Sequence, residues 1–286
     1  GALAFSGTVT EDGASEIINC KFIENDYSGI IQAANCYHQL VIKNCYFYHN
    51  NTQNANQPQI NITYPGVGKS HVIEGNMLIG KDDLNRVGAI AVAQMMAEGG
   101  GTAYVENNTM FNNRYGFTVN AATEVKTVVK NNNIVYNMRE TNAMNGGSGI
   151  SFYGMVDAYV EGNLIEGNLW GVTIIGSPVK INFGKTDDPN AEDYNPGLNV
   201  FKNNGNDGKP MPRIESYTFD SNEKQILLSS DFEPIYRHSG ISNYYIYNIE
   251  NKTFELISHN GKQRLTTFSP EGTMVAFVRN NNIYIM

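Results

Sequence analysis

The sequence is poor in several residue types that mark common protein classes. Its 286 residues include 3 Cys and 1 Trp. Three cysteines are too few for a disulfide framework. The most apolar stretch, residues 88–97, is far shorter than the ~20 residues of a membrane-spanning helix. The net charge of −8 disfavours nucleic acid and anionic membranes as partners. We therefore expect neither a membrane span nor a nucleic-acid partner.

The chain begins at Gly1 without a visible signal peptide. We therefore expect that the natural N-terminus is missing from this sequence.

A short phrase recurs along the first 210 residues. It reads Ile-Ile-Asn-Cys-Lys-Phe at residues 17–22, and similar phrases start at residues 42, 73, 105, 129 and 160. A period in this range is typical of stacked-repeat architectures. Alternating apolar and polar residues between Asn and Gly corners predict about three short strands in each repeat.

Stacking places equivalent residues of successive repeats in rows. One row is predicted to point into the core: Ile17, Ile42, Ile73, Val105, Val129 and Val160. A second row is predicted to form a hydrogen-bonded ladder at one corner: Cys20, Cys45, Asn76, Asn108, Asn132 and Asn163. A third row is predicted to point outward: Ile18, Lys43, Glu74, Glu106, Lys130 and Glu161.

This repeat resembles the right-handed parallel β-helix superfamily, which includes pectate lyases, polygalacturonases and alginate-modifying enzymes. The resemblance covers about residues 5–208. It implies an all-β fold in which residues 1–210 form a right-handed parallel β-helix of about seven coils. It also implies a polysaccharide or glycan partner and an extracellular, cell-surface or periplasmic location, as in a secreted bacterial protein.

The outward row offers candidate sugar chemistry. Glu74, Glu106 and Glu161 are candidate catalytic residues, because carboxylates on adjacent strands lie ~5 Å apart at the backbone, near the separation in retaining glycosidases. We assign substrate binding to Tyr104, Tyr159 and Lys130. The alternative is a charge ladder in which Lys and Glu pair between neighbouring strands.

Other signals are weaker. The paired-Asp and Gly-His-Gly signatures of polygalacturonases are absent, so a lyase, a hydrolase and a binding-only protein all stay open. Asp187 and Asp188 are candidate Ca²⁺ ligands, although an ordinary acidic loop explains them better. We expect no cofactor. His38, His49 and His71 show no metal-ligand spacing, and we expect ordinary structural roles for them.

The repeat stops near Gly208, and residues 211–286 read as antiparallel strands with hairpin turns. Residues 212–286 resemble the start of the β-propeller of the dipeptidyl peptidase IV family. Four segments carry the resemblance: Tyr236-Arg237-His238-Ser239, Tyr244–Asn248, Phe268–Gly272 and Asn280–Ile285. The resemblance implies that Arg237 contacts a backbone carbonyl of a peptide substrate.

The second part also departs from that family. It lacks the paired glutamates that hold the substrate N-terminus and the Gly-x-Ser-x-Gly nucleophile motif, and it holds about one and a half blades. We expect no peptidase activity from this chain in this form. Whether it is an enzyme stays open; an active chain would be a polysaccharide lyase or a glycoside hydrolase.

Three functional hypotheses follow. The first is a polysaccharide-binding or polysaccharide-processing β-helix joined to a non-catalytic propeller fragment, with the two parts coming from different proteins. The second is a non-enzymatic β-helix scaffold or adhesin. The third is a fragment of a dipeptidyl peptidase IV-like serine peptidase without its catalytic domain.

Overall fold

We describe the chain from a computed structural model. The described residues are 1–7, 13–95, 100–140, 142, 145, 147–192, 194–205, 214–236, 239–250, 253–258 and 260–286. The chain divides into two compact units, Gly1–Pro210 and Met211–Met286. No described helix is long and apolar enough to cross a lipid bilayer.

Within its described residues, the first unit contains two parallel sheets, of twelve and seven strands, which we call sheets A and B. Sheet A combines two rows of short strands through two long strands. The first row is β1 (Leu3–Phe5), β4 (Ile30–Gln32), β7 (Ile60–Thr63), β10 (Ile90–Gln94) and β17 (Trp170–Ile175). The second row is β2 (Ala14–Ile18), β5 (Gln39–Lys43), β8 (Ser70–Glu74), β11 (Thr102–Glu106) and β18 (Lys180–Asn182). The long strands are β13 (Phe117–Lys130) and β15 (Ser148–Glu161).

Sheet B is built from one short strand of each repeat. Its strands are β3 (Lys21–Ile23), β6 (Tyr46–Tyr48), β9 (Met77–Ile79), β12 (Thr109–Phe111), β14 (Asn133–Val135), β16 (Leu164–Glu166) and β19 (Val200–Lys202). Each strand pairs in parallel with the equivalent strand of the next repeat.

The sheet organisation corrects the predicted fold class. Three short strands per repeat predict three separate sheets, but β13 pairs with both β10 and β11, and β15 pairs with both β17 and β18. The reason is that β13 and β15 stay extended where other repeats turn, with an irregularity between Ala121 and Val125. The prediction of a right-handed parallel β-helix of about seven coils is therefore wrong for this unit, which we describe as two parallel sheets.

The predicted alignment of the repeated phrase is confirmed by the strand register. Ile17 lies opposite Ile42, and Ile42 lies opposite Ile73. The same register continues through Val105, Val129 and Val160. All six side chains of this inward row are buried in one hydrophobic cluster. Their removal from water contributes to the apolar stabilisation of the first unit.

The corner before the ladder requires a left-handed backbone. Asn44 and Asn131 have φ values of 53° and 54° there, and Gly75 and Gly162 have values of 67° and 66°. Asn and Gly tolerate this conformation better than other residues. Gly75 lies next to Asn44 in the following repeat, and the Asn44 side chain packs against it. A Cβ atom at position 75 would approach Asn44 Oδ1 to 2.5 Å, which explains the glycine there.

The predicted corner ladder is confirmed and continues to Asn199. From Asn76 onward, the side-chain oxygen of each rung accepts from the backbone N–H of the preceding rung. Asn132 Oδ1 accepts from the Asn108 backbone N–H at 2.9 Å and from Asn108 Nδ2 at 3.1 Å. Asn132 Nδ2 donates to the Val105 carbonyl at 2.8 Å and to Asn163 Oδ1 at 2.9 Å. The ladder thus satisfies buried polar groups at every corner.

A second ladder lies at the other end of the sheet B strands. It consists of Asn25, Asn50, Gln59, Asn113, Asn137, Asn168 and Asn204. Members of this ladder lie five residues after the rungs of the corner ladder, but five residues after Asn76 the sequence has Lys81. Gln59 occupies this third position instead. Gln59 Oε1 accepts from Asn50 Nδ2 at 3.0 Å, and its Nε2 donates to Asn113 Oδ1 at 2.9 Å. A longer amide from another segment therefore completes the ladder.

His71 is fully buried on β8 and takes part in two hydrogen bonds. Its Nδ1 accepts from the Leu40 backbone N–H at 3.0 Å, so this nitrogen carries no proton. Its Nε2 therefore donates to the Thr63 carbonyl at 2.5 Å. Burial lowers the pKa of His71 from 6.5 to about 4. The imidazole is thus a neutral link between the two strand rows of sheet A.

The second unit contains two antiparallel sheets among its described residues. Sheet C has the order β20 (Ile214–Phe219), β21 (Gln225–Tyr236), β22 (Ser239–Asn248) and β23 (Thr253–Leu256). Sheet D has the order β24 (Arg264–Phe268), β25 (Val275–Arg279) and β26 (Asn282–Ile285). Leu227, Ile257, Val275 and Phe277 form a buried cluster. This arrangement is typical of successive propeller blades.

In the first turn of each of these sheets, a side-chain oxygen accepts hydrogen bonds from two backbone N–H groups. Asp220 Oδ1 accepts from the backbone N–H groups of Lys224 and Gln225 at 2.7 and 2.9 Å. Ser269 Oγ accepts from the N–H groups of Thr273 and Met274, both at 3.2 Å. Short polar side chains commonly stabilise tight turns in this way.

We expect Asn132→Ala to lower the free energy of unfolding by about 2–4 kcal/mol, because it leaves the buried Asn108 N–H without its acceptor. Urea denaturation followed by circular dichroism measures this change. The half-buried neighbour Asn133 provides the control, and Asn133→Ala should change the value by no more than about 0.5 kcal/mol. Equal losses in the two variants would contradict the proposed contribution of the ladder to the free energy of unfolding.

We expect the first unit to lose stability as the pH falls from about 6.5 to about 4. The unfolded His71 binds a proton below its ordinary pKa, whereas the folded one resists protonation until its lowered pKa. The unfolded state therefore binds more protons in this window, and the free energy of unfolding falls by about 3 kcal/mol across it. Urea denaturation at several pH values measures the slope.

His71→Gln provides the control, since an amide can accept from Leu40 and donate to Thr63 without titrating. We expect this variant to have a shallower slope between pH 4 and pH 6.5. Parallel slopes for the two proteins would show that His71 is not responsible.

Candidate functional site

The predicted outward row follows the second strand row of sheet A. Glu74 lies opposite Glu106, Glu106 opposite Lys130, and Lys130 opposite Glu161 in parallel register. The structure therefore aligns the three candidate catalytic carboxylates with candidate Lys130 in one row. Adjacent parallel strands bring such side chains close enough to interact directly.

Two of the three carboxylates form ion pairs within this row. Lys43 Nζ lies 2.9 Å from Glu74 Oε2, and both side chains are partly exposed. Lys130 Nζ lies 3.2 Å from Glu161 Oε2. The Glu161 side chain is only 10% exposed, whereas that of Glu74 is 36% exposed. Both lysines therefore bind carboxylates of their own chain.

Glu106 has a different environment. Among the described residues it has no ion pair within 4.0 Å, although it lies between Glu74 and Lys130 in register. Partial burial and, next, the negative charge of Glu74 raise the pKa of Glu106, while Lys130 opposes this effect. A carboxylate with a raised pKa can exchange a proton with a bound group. Glu106 is thus the carboxylate of this row that has no ion pair among the described residues.

The two candidate tyrosines lie in a neighbouring row, separated by Val128. The Tyr104 side chain is exposed. The Tyr159 hydroxyl instead donates to Glu161 Oε2 and also lies 3.1 Å from the Tyr194 carbonyl. Burial, followed by the hydrogen bond to Glu161, raises the pKa of Tyr159. Tyr159 therefore covers Glu161, and Tyr104 alone of the two offers an exposed ring.

The burial of Glu161 differs from the sequence prediction. Position 161 belongs to the outward row, yet its side chain is covered because Tyr159 bonds to it and to the segment that carries Tyr194. This contact joins residues 35 positions apart. Alternation along β15 alone could not indicate it.

The candidate Ca²⁺ ligands are engaged locally. Asp188 Oδ1 accepts from the backbone N–H of Asn190 at 2.9 Å and from its Nδ2 at 3.1 Å. No group of three or more metal-ligating side chains was found among the described residues. Asp188 thus forms part of an ordinary polar turn.

The candidate peptide-binding residue Arg237, and His238 beside it, lie outside the described residues. The strands on either side are described: β21 ends at Tyr236, and β22 begins at Ser239. Tyr236 is 77% exposed and pairs with Ser239.

Comparison with known proteins gives matches to one family. Residues 220–286 match the family model described as the dipeptidyl peptidase IV (DPP IV) N-terminal region. A probable dipeptidyl-aminopeptidase B of Tuber melanosporum is 38% identical over 81 residues, which cover 27% of this chain and 9% of that protein. A protein of the same name from Pyrenophora teres f. teres is 37% identical over 65 residues, or 22% of this chain and 7% of that protein.

A solved structure gives a related result. The crystal structure of Porphyromonas gingivalis dipeptidyl peptidase 4 is 45% identical, covers 27% of this chain and 11% of that chain, and has a TM-score of 0.26. The similarity therefore rests on sequence identity. The chain spans 7–9% of the length of the two fungal relatives.

These matches separate the sequence-based interpretations. The family match lies entirely within the second unit, where it confirms the propeller resemblance. The β-helix, pectate-lyase-like, polysaccharide and secreted interpretations of the first unit receive no support from the matched family. The family match and the fungal relatives favour the alternative in which part of a dipeptidyl peptidase IV-like peptidase is present. Residues 220–286 are thus similar to the N-terminal propeller region of dipeptidyl peptidases.

Proposed function

We propose that the second unit is the propeller part of a peptidase of the dipeptidyl peptidase IV type. The observation that carries the proposal is the family match over residues 220–286. The antiparallel sheets C and D and their matching first turns support it, because propellers repeat one four-stranded unit. The partner in this proposal is a peptide, and an extracellular, cell-surface or periplasmic location belongs to the same proposal.

In this function the propeller positions the substrate, and the nucleophile belongs to another part of the peptidase. Arg237 contacts a substrate backbone carbonyl, as the family resemblance implies. A guanidinium group suits this task because it is permanently charged and donates hydrogen bonds that are stronger than neutral ones.

A chimera tests this proposal. Residues 212–286 replace the matching segment of Porphyromonas gingivalis dipeptidyl peptidase 4, and cleavage of a fluorogenic Xaa-Pro dipeptide is measured. We expect the chimera to retain cleavage, and Arg237→Ala within it to lower kcat/KM about 10-fold to 100-fold, the usual effect of losing a charged hydrogen bond.

Arg264→Ala provides the matched control, because Arg264 is a surface arginine of the same unit that bonds to Asn281. It should leave kcat/KM almost unchanged. A folded chimera without activity would refute the proposed equivalence of the segments. A loss at Arg264 equal to that at Arg237 would remove the specific role of Arg237.

A second proposal concerns the first unit, which we infer to be a non-catalytic scaffold. Its support is the charged row, in which Lys43 neutralises Glu74 and Lys130 neutralises Glu161. Internal ion pairs leave these carboxylates engaged with their own chain. In this proposal Glu74 and Glu161 stabilise the sheet, Glu106 has no ion pair among the described residues, and Tyr104 is exposed in the neighbouring row.

Two matched substitutions test the structural role of the row. Lys43 and Lys130 are each 37% exposed, but their partners differ in burial. We expect Lys130→Met to lower the free energy of unfolding by about 1–2 kcal/mol, because it leaves the covered Glu161 without its counter-charge. Lys43→Met should cost at most about 0.5 kcal/mol, since Glu74 stays hydrated.

Urea denaturation at neutral pH and low salt measures both values. Equal losses in the two variants would contradict the ranking by partner burial. A gain of stability in Lys130→Met would mean that the ion pair does not stabilise the sheet.

A further inference from the structure

The first two rungs of the corner ladder are cysteines, and they differ from all later rungs. Cys20 is exposed and Cys45 is buried, and both are free thiols. Cys45 Sγ accepts from the Cys20 backbone N–H at 3.4 Å, in the position that an asparagine oxygen occupies further along. Sulfur is a weak acceptor, so this rung is held less firmly than the amide rungs.

The strand register places the two cysteines directly next to each other. On one side Ile18 lies opposite Lys43, and on the other side Lys21 lies opposite Tyr46. The Tyr46 backbone N–H also donates to the Cys20 carbonyl at 2.9 Å. Directly opposed residues of adjacent parallel strands lie about 4.8 Å apart. This separation falls within the roughly 4.4–6.8 Å range of Cα distances in disulfides.

Only one of the two sulfurs is open to reagents. β2 and β3 are the terminal strands of sheets A and B on this side, among the strands that the structure describes. Cys20 follows β2 and is therefore exposed, whereas Cys45 is 2% exposed. Burial raises the pKa of the Cys45 thiol, and the hydrogen bond from the Cys20 backbone N–H partly opposes this effect. Cys20 is thus positioned to react first and Cys45 to react second.

We propose that Cys20 and Cys45 form a redox-active pair that a small disulfide oxidises to an intramolecular disulfide. The Cys20 thiolate attacks one sulfur of the small disulfide, whose S–S bond breaks and releases one thiol. The Cys45 thiolate then attacks the Cys20 sulfur of the mixed disulfide and releases the second thiol. Two protein thiols are oxidised, one small disulfide is reduced to two thiols, and the two protein protons pass to the leaving thiolates.

The third cysteine is excluded from this reaction by its position. Cys36 is buried, and its sulfur accepts from Gln32 Nε2 at 3.5 Å. It lies outside the ladder, between β4 and β5. It therefore provides an internal control for selectivity.

The experiment uses the full chain, reduced and then freed of reductant, and incubated with excess oxidised glutathione. Thiols are titrated after denaturation in acid and guanidinium. We expect the count to fall from three to one, and peptide mapping without reductant to show the Cys20–Cys45 cross-link. The same incubation in urea should yield mixed pairings, because the register that selects this pair is lost.

Single substitutions separate the two steps. Cys45→Ser should stop the reaction at a stable glutathione adduct on Cys20, Cys20→Ser should leave Cys45 unmodified, and Cys36→Ser should give the same cross-link as the natural chain. A lasting glutathione adduct on Cys20 in the natural chain would overturn the proposal. Retention of all three thiols, or a cross-link through Cys36, would overturn it as well.

Discussion

The first unit depends on one type of hydrogen bond, which recurs at the same corner of successive repeats. The side-chain oxygen of one repeat accepts the backbone N–H of the preceding repeat, as Asn132 does for Asn108. A tight corner exposes backbone groups that strands cannot satisfy, and a buried group without a partner costs about 1–3 kcal/mol. The side-chain amide removes this cost and also ties neighbouring repeats together. A second ladder, with Gln59 among its members, does the same at the other end of the sheet B strands.

This constraint also fixes the rest of the unit. Because each amide reaches only the next repeat, the strands pair without a shift, and equivalent residues form rows. The inward row becomes a continuous apolar core, and the outward row places Lys43 beside Glu74 and Lys130 beside Glu161 as ion pairs. The same register sets Cys20 beside Cys45, where sulfur replaces the amide. Structure, electrostatics and thiol chemistry in this unit therefore follow from one geometric rule.

The second unit follows another rule and carries the functional assignment. Its antiparallel strands are joined by turns whose backbone N–H groups donate to a short polar side chain, Asp220 in sheet C and Ser269 in sheet D. Residues 220–286 match the dipeptidyl peptidase IV N-terminal region, and the peptidase proposal rests on that segment. The ion pairs of the charged row are the support for the scaffold proposal for the first unit.

The sequence by itself determined the repeat, the inward row, the corner ladder and the propeller resemblance. Each of these is visible in short segments of the chain, as a regular spacing or as a family-like motif. Only the tertiary structure decided three other features. Gln59 replaces Lys81 in the second ladder, because a slot can be filled from any segment that reaches it. The long strands β13 and β15 merge two strand rows, since they continue where a corner was expected. Tyr159 covers Glu161 and also bonds to the Tyr194 carbonyl, a contact over 35 positions that alternation cannot encode.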